Sequence, residues 1–269
     1  ALDSSMRILL TTPTYPPFNS GVGNAVRRHA EELARRGHDI IVATGGATRA
    51  TELDGDIRVE RLAVDGAPTL RNRIRGDIEG YSEFLRRTEA DAVILHAWQT
   101  WSTDLALEEV KPRGVRAYVY SHCISTNTWL SYRPLQSLAA YVLWRPYWWN
   151  LRRAMKGLNG IFFLADGGDA RFDDLRLARR IGARVHVIPN AVEGAAPPAA
   201  ARTQLIAVGS YTRAKGFDFV LKAYSLSGAR NVLPLVMFGQ EETPYLDELR
   251  KLAEELGLGR EAVTFRSGV

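Results

Sequence analysis

Short apolar runs alternate along the chain with longer stretches whose apolar residues recur every three to four positions, a pattern that predicts a parallel α/β sheet. Residues 7–11, Arg-Ile-Leu-Leu-Thr, read as the first strand. A loop over 12–21 follows, then a helix over about 22–36. In that helix Val22, Val26, Ala30 and Leu33 share one face, while Arg27, Arg28, Arg35 and Arg36 point elsewhere. Gly37 is a natural stop. Further strands are predicted at 40–43, 57–62, 92–95, 117–120, 161–164 and 185–188. A stretch of alanine, glycine and proline over 193–201 then breaks the pattern. Beyond it the alternation restarts, with strands at 205–208, 233–238 and 263–265 and helices at 217–225 and 245–256.

The pattern divides the chain into a domain over 6–193, a linker over 194–202 and a second α/β unit over 203–269. Three strands and two helices make half of a doubly wound sheet, and the last strand would lack its covering helix. Continuation beyond Val269 is therefore expected.

Composition narrows the class. With 269 residues, 46% of them hydrophobic and 24% charged, the chain reads as a globular protein of one large or two medium domains. Its formal charge of +5 suits an anionic ligand or an anionic membrane surface. Zinc-finger spacing and the aromatic-basic signature of an RNA-binding sheet are both missing, so nucleic acid is not an expected partner. Cys123 is the single cysteine, which excludes an intrachain disulfide and favours a reducing, cytoplasmic setting. The first five residues, ahead of Met6, lack the parts of a signal peptide and read as an expression scar. No apolar run is long enough to span a bilayer.

Two loops carry candidate chemistry. Ser20-Gly21-Val22-Gly23 lies between a strand and a helix. Glycines there let the backbone approach phosphate oxygens, and the helix start offers free N–H groups and a partial positive charge. Val26 replaces the third glycine of the dinucleotide fingerprint, and Thr44 stands where an acidic residue should follow the second strand, which argues against a nicotinamide enzyme. A tight strand-to-helix turn is the structural alternative. The second loop, Gly209 to Gly216, places Arg213 and Lys215 near another helix start, an arrangement suited to a diphosphate.

Pro16-Pro17, Gly21-Val22-Gly23 and Leu33-Ala34-Arg35-Arg36-Gly37-His38 together resemble the N-terminal signature of the family-four retaining glycosyltransferases. Ile188-Pro189-Asn190-Ala191-Val192 is similar to that family's hinge, with Ala191 in place of glycine, and Gly209 through Gly216 resembles its donor loop. The pieces occur in family order along the whole chain. The resemblance implies a GT-B fold, α/β with two facing Rossmann-like domains, the second incomplete in this chain. It implies transfer of a hexose from a nucleoside-diphosphate sugar with retention of configuration and without a metal or cofactor. Gly21, Val22, Gly23, Gly209, Arg213 and Lys215 would contact the donor, with Lys215 neutralising the leaving diphosphate. His122 matches a family histidine that orients or contacts the transferred sugar, and His96, in a similar place, is assigned to the acceptor.

Three departures accompany the match. Ser20 replaces a glycine, and Ser210 replaces a donor-binding arginine for which Arg213 could stand in. The family's glutamate pair, with seven residues between its members, would fall downstream of Val269, which predicts weak donor binding by the chain as given. A nucleotide-sugar epimerase of the same fold, or a catalytically silent nucleotide- or partner-binding module, are the alternatives.

Other clusters read as structural. Asp54-Gly55-Asp56 resembles a metal-binding aspartate pair but precedes a strand and reads as a turn. Asp166, Asp169, Asp173 and Asp174 fit the first turns of a helix after Leu164. His38 and His186 read as structural, and His29 as a surface or packing residue in mid-helix. Residues 129–156 interleave tryptophan, tyrosine and leucine with Arg133, Arg145, Arg152, Arg153 and Lys156. That composition fits a helix at an anionic membrane interface or an aromatic-cored helix pair. The first reading implies a peripheral protein at the inner face of the membrane and a lipid-linked glycan or lipopolysaccharide precursor as acceptor. Arg71, Arg73, Arg75, Arg86 and Arg87 form a second basic stretch, read as a solvated helix face.

Overall fold

The computed structural model describes residues 5–18, 20–69, 72–122, 124, 134–166, 173–191 and 203–268. Cys123, Trp129, Tyr132, Arg133, Arg71, Asp169 and the expected linker lie outside them. The chain forms two compact units, Ala1–Val192 and Glu193–Val269.

The first unit begins with β1 (Arg7–Thr11), α1 (Gly21–Arg35), β2 (Asp39–Gly45), β3 (Ala50–Asp54), β4 (Ile57–Leu62), β5 (Val64–Asp65) and β6 (Arg75–Gly76). It continues through α2 (Ile78–Arg87), β7 (Ala92–His96), α3 (Trp101–Val110), β8 (Arg116–Ser121), α4 (Pro134–Leu143) and α5 (Arg145–Lys156). β9 (Gly160–Phe163), α6 (Asp173–Arg180) and β10 (Val185–Val187) complete it. Eight strands form one sheet in the order β10-β9-β8-β7-β1-β2-β4-β3. Every neighbouring pair is parallel except β3 and β4.

Burial on both faces explains why the inner strands read as unbroken apolar runs. From β1, Ile8 and Leu10 pack with Val26 and Ala30 of α1. Leu9 points to the opposite face, against a core that includes Tyr81 and Leu85 of α2 and Trp101 of α3. Each such aliphatic side chain contributes roughly 1.5–3 kcal/mol by leaving water. At the edge, β3 (sequence Ala-Thr-Glu-Leu-Asp) is almost wholly exposed and has no apolar face to reveal it. Asp54-Gly55-Asp56 makes the β3–β4 turn, and Asp54 is tied to Tyr15 Oη at 3.0 Å and Arg27 Nε at 3.1 Å.

The second unit contains β11 (Leu205–Val208), α7 (Phe217–Leu226), β12 (Leu235–Gly239), α8 (Pro244–Glu255) and β13 (Val263–Ser267). The strands are parallel, in the order β11-β12-β13. Phe217 and Leu221 of α7 and Leu246 and Leu249 of α8 share one core with Leu235, Met237 and Val263. Tyr211 fills the turn after β11 and packs against Gly239, where a Cβ would sit 2.1 Å from its ring. Only glycine fits there. No helix among the described residues is long and apolar enough to cross a membrane.

Candidate functional site

β1 has β2 on one side and β7 on the other, so the chain reverses its direction of winding between β1 and β7. Open α/β sheets bind ligands outside the carboxyl ends of strands at such a point. The loop after β1, the loop after β7 and His122 beyond β8 all lie at this edge.

Ser20 caps α1: its Oγ accepts the Gly23 N–H at 2.9 Å and lies 2.6 Å from Thr14 Oγ1. This leaves the N–H groups of Gly21 and Val22 at the helix start without an intrahelical partner. The two glycines are there for different reasons. A Cβ on Gly23 would meet the Thr14 carbonyl oxygen and Ser20 Oγ, each at 2.9 Å, whereas one on Gly21 would have nothing within 4 Å. Packing requires Gly23; it does not require Gly21. Gly21→Ala is therefore expected to leave stability unchanged or raise it by up to about 1 kcal/mol. Gly23→Ala should cost about 1–3 kcal/mol, as overpacking does. Chemical denaturation of the two variants checks this, and equal losses would remove the distinction.

Beside this loop a cavity of about 790 Å³ opens over the carboxyl ends of β1, β2 and β4. Phe18, Gly46, Arg61, Asp65 and Arg75 are among its walls. Arg61 also holds the loop in place by donating to the Pro16 carbonyl at 2.5 Å.

Three histidines meet at the carboxyl ends of β7 and β8. His96 ends β7, and its Nδ1 lies 3.1 Å from His122 Nε2. Tyr120 pairs in register with His96, and its ring stacks on His96 at 5.5 Å and on His122 at 5.2 Å. His29 of α1 completes the group, 4.7 Å from the Tyr120 ring and 5.5 Å from His96. Burial holds all three imidazoles below their ordinary pKa, His122 down to about 4. They are neutral at pH 7, and in the His96–His122 contact one ring donates while the other accepts.

His96 is 0% exposed. Its Nδ1 faces His122, whose ring is less deeply buried. His29 belongs to the cluster, not to the surface. The signal was present, since His29 is three residues past Val26 and seven past Val22, on the stripe that faces the sheet. Next to His122, Ser121 Oγ donates to Asp174 Oδ2 at 2.5 Å. Burial raises that carboxyl to about 6 despite the opposing serine bond. Asp173 and Asp174 occupy the first turn of α6, and Asp166 pairs with Arg179 at 2.8 Å. His38 Nδ1 accepts the Met6 N–H at 3.3 Å, and His186 lies in β10.

In the second unit a short 3₁₀ turn over Arg213–Lys215 precedes α7, with Gly216 left-handed at φ 68° between them. Arg213 is turned to Glu248 of α8 and lies 5.0 Å over the Tyr245 ring. Lys215 is exposed and, among the described residues, has no ion-pair partner. Gly209 sits against the Phe217 ring at 3.5 Å and Lys215 Cγ at 3.7 Å, counting from the position of a Cβ.

A profile of the family described as glycosyl transferase 4-like domain matches residues 20–191, well over half of the chain. The chain belongs to this family. A search of curated proteins finds no match. Solved structures of the same fold cover 98% of the chain. A glycosyltransferase from Rickettsia africae is 16% identical, covered over 69% of its length, with a TM-score of 0.62. The catalytic domain of starch synthase IV from Arabidopsis thaliana, bound to ADP and acarbose, is 14% identical and covered over 74%, at 0.60. A UDP-forming trehalose-phosphate synthase from Burkholderia xenovorans is 11% identical and covered over 73%, at 0.56. These likenesses establish the α/β fold of the GT-B glycosyltransferases. The resemblance read from the sequence holds at the level of family and fold.

Proposed function

We propose that this glycosyl transferase 4-like protein moves a hexose from a nucleoside-diphosphate sugar to a glycan or lipid-linked acceptor, retaining configuration and using no metal ion. The observation that carries the reading is Lys215, an exposed cation without an ion-pair partner among the described residues, placed just ahead of a helix start. A leaving diphosphate gains negative charge as its bond to the sugar breaks, and a fixed cation there stabilises the transition state more than the ground state. The N–H groups of Gly21 and Val22, which lack an intrahelical partner, are likewise suited to phosphate oxygens. His122 is the group offered to the transferred sugar, as a neutral imidazole able to hydrogen-bond a hydroxyl, with His96 fixing its orientation. The cavity beside Phe18 and Arg61 is assigned to the acceptor. The protein works in the cytoplasm, at the inner face of an anionic membrane that holds the acceptor.

The test is to incubate the protein with uridine, guanosine and adenosine diphosphate sugars. Nucleotide release is followed with and without acceptor glycans and chelator, and the product anomer is assigned by NMR. Acceptor-dependent release that survives the chelator and keeps the anomer is the expected result. Conversion of the sugar nucleotide without acceptor would instead indicate an epimerase, and binding without turnover a silent module.

A further inference from the structure

Helices α4 and α5 pack only one side of the pair into the fold. In α5, Trp148, Leu151 and Met155 are buried at positions three and four apart. On an adjoining face of the same helix Trp149, Arg152 and Lys156 are exposed, Trp149 by 69%. The preceding α4, Pro-Leu-Gln-Ser-Leu-Ala-Ala-Tyr-Val-Leu, contains no charged residue. Leu135 is 82% exposed, and Leu138, Tyr141, Val142 and Leu143 are exposed with it. Arg145 links the two helices by lying 3.5 Å over the Tyr141 ring.

An outward apolar helix costs free energy in water, about 0.025 kcal/mol for each Å² left wet. Charge narrows the choice of what covers it. Between Glu109 and Asp166 the sequence has no acidic residue at all. Arg152, Arg153 and Lys156 are exposed beside the apolar surface, and no salt bridge occupies them among the described residues. A second copy of this surface would bring like charges together. An anionic bilayer meets both properties, because it takes leucine and tryptophan into its headgroup boundary and attracts the flanking cations.

We infer that the α4–α5 pair is the surface by which this protein docks on an anionic membrane, with Leu135, Leu138, Val142 and Trp149 entering the boundary and Arg152, Arg153 and Lys156 facing the headgroups. The inference extends the proposed function by naming the surface, and rests on it only for the identity of the acceptor. Docking itself requires neither donor nor turnover.

Flotation of the full chain tests it, with vesicles of phosphatidylcholine alone and of phosphatidylcholine mixed with phosphatidylglycerol. The chain should float with the mixed vesicles only, and added salt should weaken binding. Arg152→Gln/Arg153→Gln should lower partitioning about 25-fold, about fivefold for each cation. Leu138→Ser/Trp149→Ser should lower it about tenfold or more by removing inserted apolar groups. All four positions are exposed, so the thermal midpoint should not move. Equal binding to both vesicle types, or to neither, overturns the inference. So does self-association abolished by Leu138→Ser/Trp149→Ser without vesicle binding, which would give the surface to a second copy. Loss of docking with sugar transfer to a soluble acceptor intact would leave the proposed function standing. Docking by a protein that transfers no sugar would leave only the inference.

Discussion

Lys215→Ala is expected to lower sugar transfer by about 100- to 1,000-fold, the loss typical of removing one preorganised group from a developing negative charge. The thermal midpoint should stay where it is, because the Lys215 side chain is exposed and, among the described residues, pairs with no carboxylate. Arg213→Ala gives the contrast. Its guanidinium is engaged by Glu248 at the surface, and such an exposed pair is worth at most about 1 kcal/mol. If Arg213 stays with Glu248 during turnover, its loss should change transfer far less than the loss of Lys215. Initial rates at saturating and limiting donor separate the cases, since a group acting mainly in the transition state lowers kcat as well as kcat/KM. Unchanged rates in Lys215→Ala would remove the residue from the donor site.

The core strands were legible because burial on both faces leaves short apolar runs bounded by polar residues, as in Ile8-Leu9-Leu10 and Ile40-Ile41-Val42. Edges were not. β3 has no apolar face, and β5 and β6 are two residues each, too short for any period. The loops with glycine and basic residues were legible for a related reason, since backbone demands leave their mark on residue type. What sequence could not give was pairing between distant positions. It offered both Arg213 and Lys215 as donor-binding cations, and only the fold brings Glu248 to one of them, 35 residues away. It likewise treated His29, His96 and His122 separately. The α1-to-sheet packing and the β7–β8 register bring the three together.

That cluster has a consequence for acid stability. In the unfolded chain each histidine takes a proton near pH 6.5. In the fold His29 and His96 are held below that value by burial, and His122 titrates at about 4. Between about pH 6 and 4 the unfolded state therefore binds up to three protons that the folded state lacks, and stability falls as pH falls. Two buried carboxyls act in the opposite direction. Burial raises Asp104 to about 7 and Asp174 to about 6, so in the same window the folded state holds up to two protons that the unfolded chain lacks. Asp104→Asn/Asp174→Asn removes the offset while retaining an acceptor for Tyr147 Oη at 2.9 Å and for Ser121 Oγ at 2.5 Å. The double variant should lose stability more steeply than the parent between pH 6 and 4, by at most about 2.7 kcal/mol per pH unit for two protons. Denaturant unfolding at successive pH values gives both slopes. Coincident slopes would mean that the two carboxyls titrate normally in the fold. A steeper variant would mean that the buried carboxyls take up protons above the ordinary aspartate range, as their burial requires.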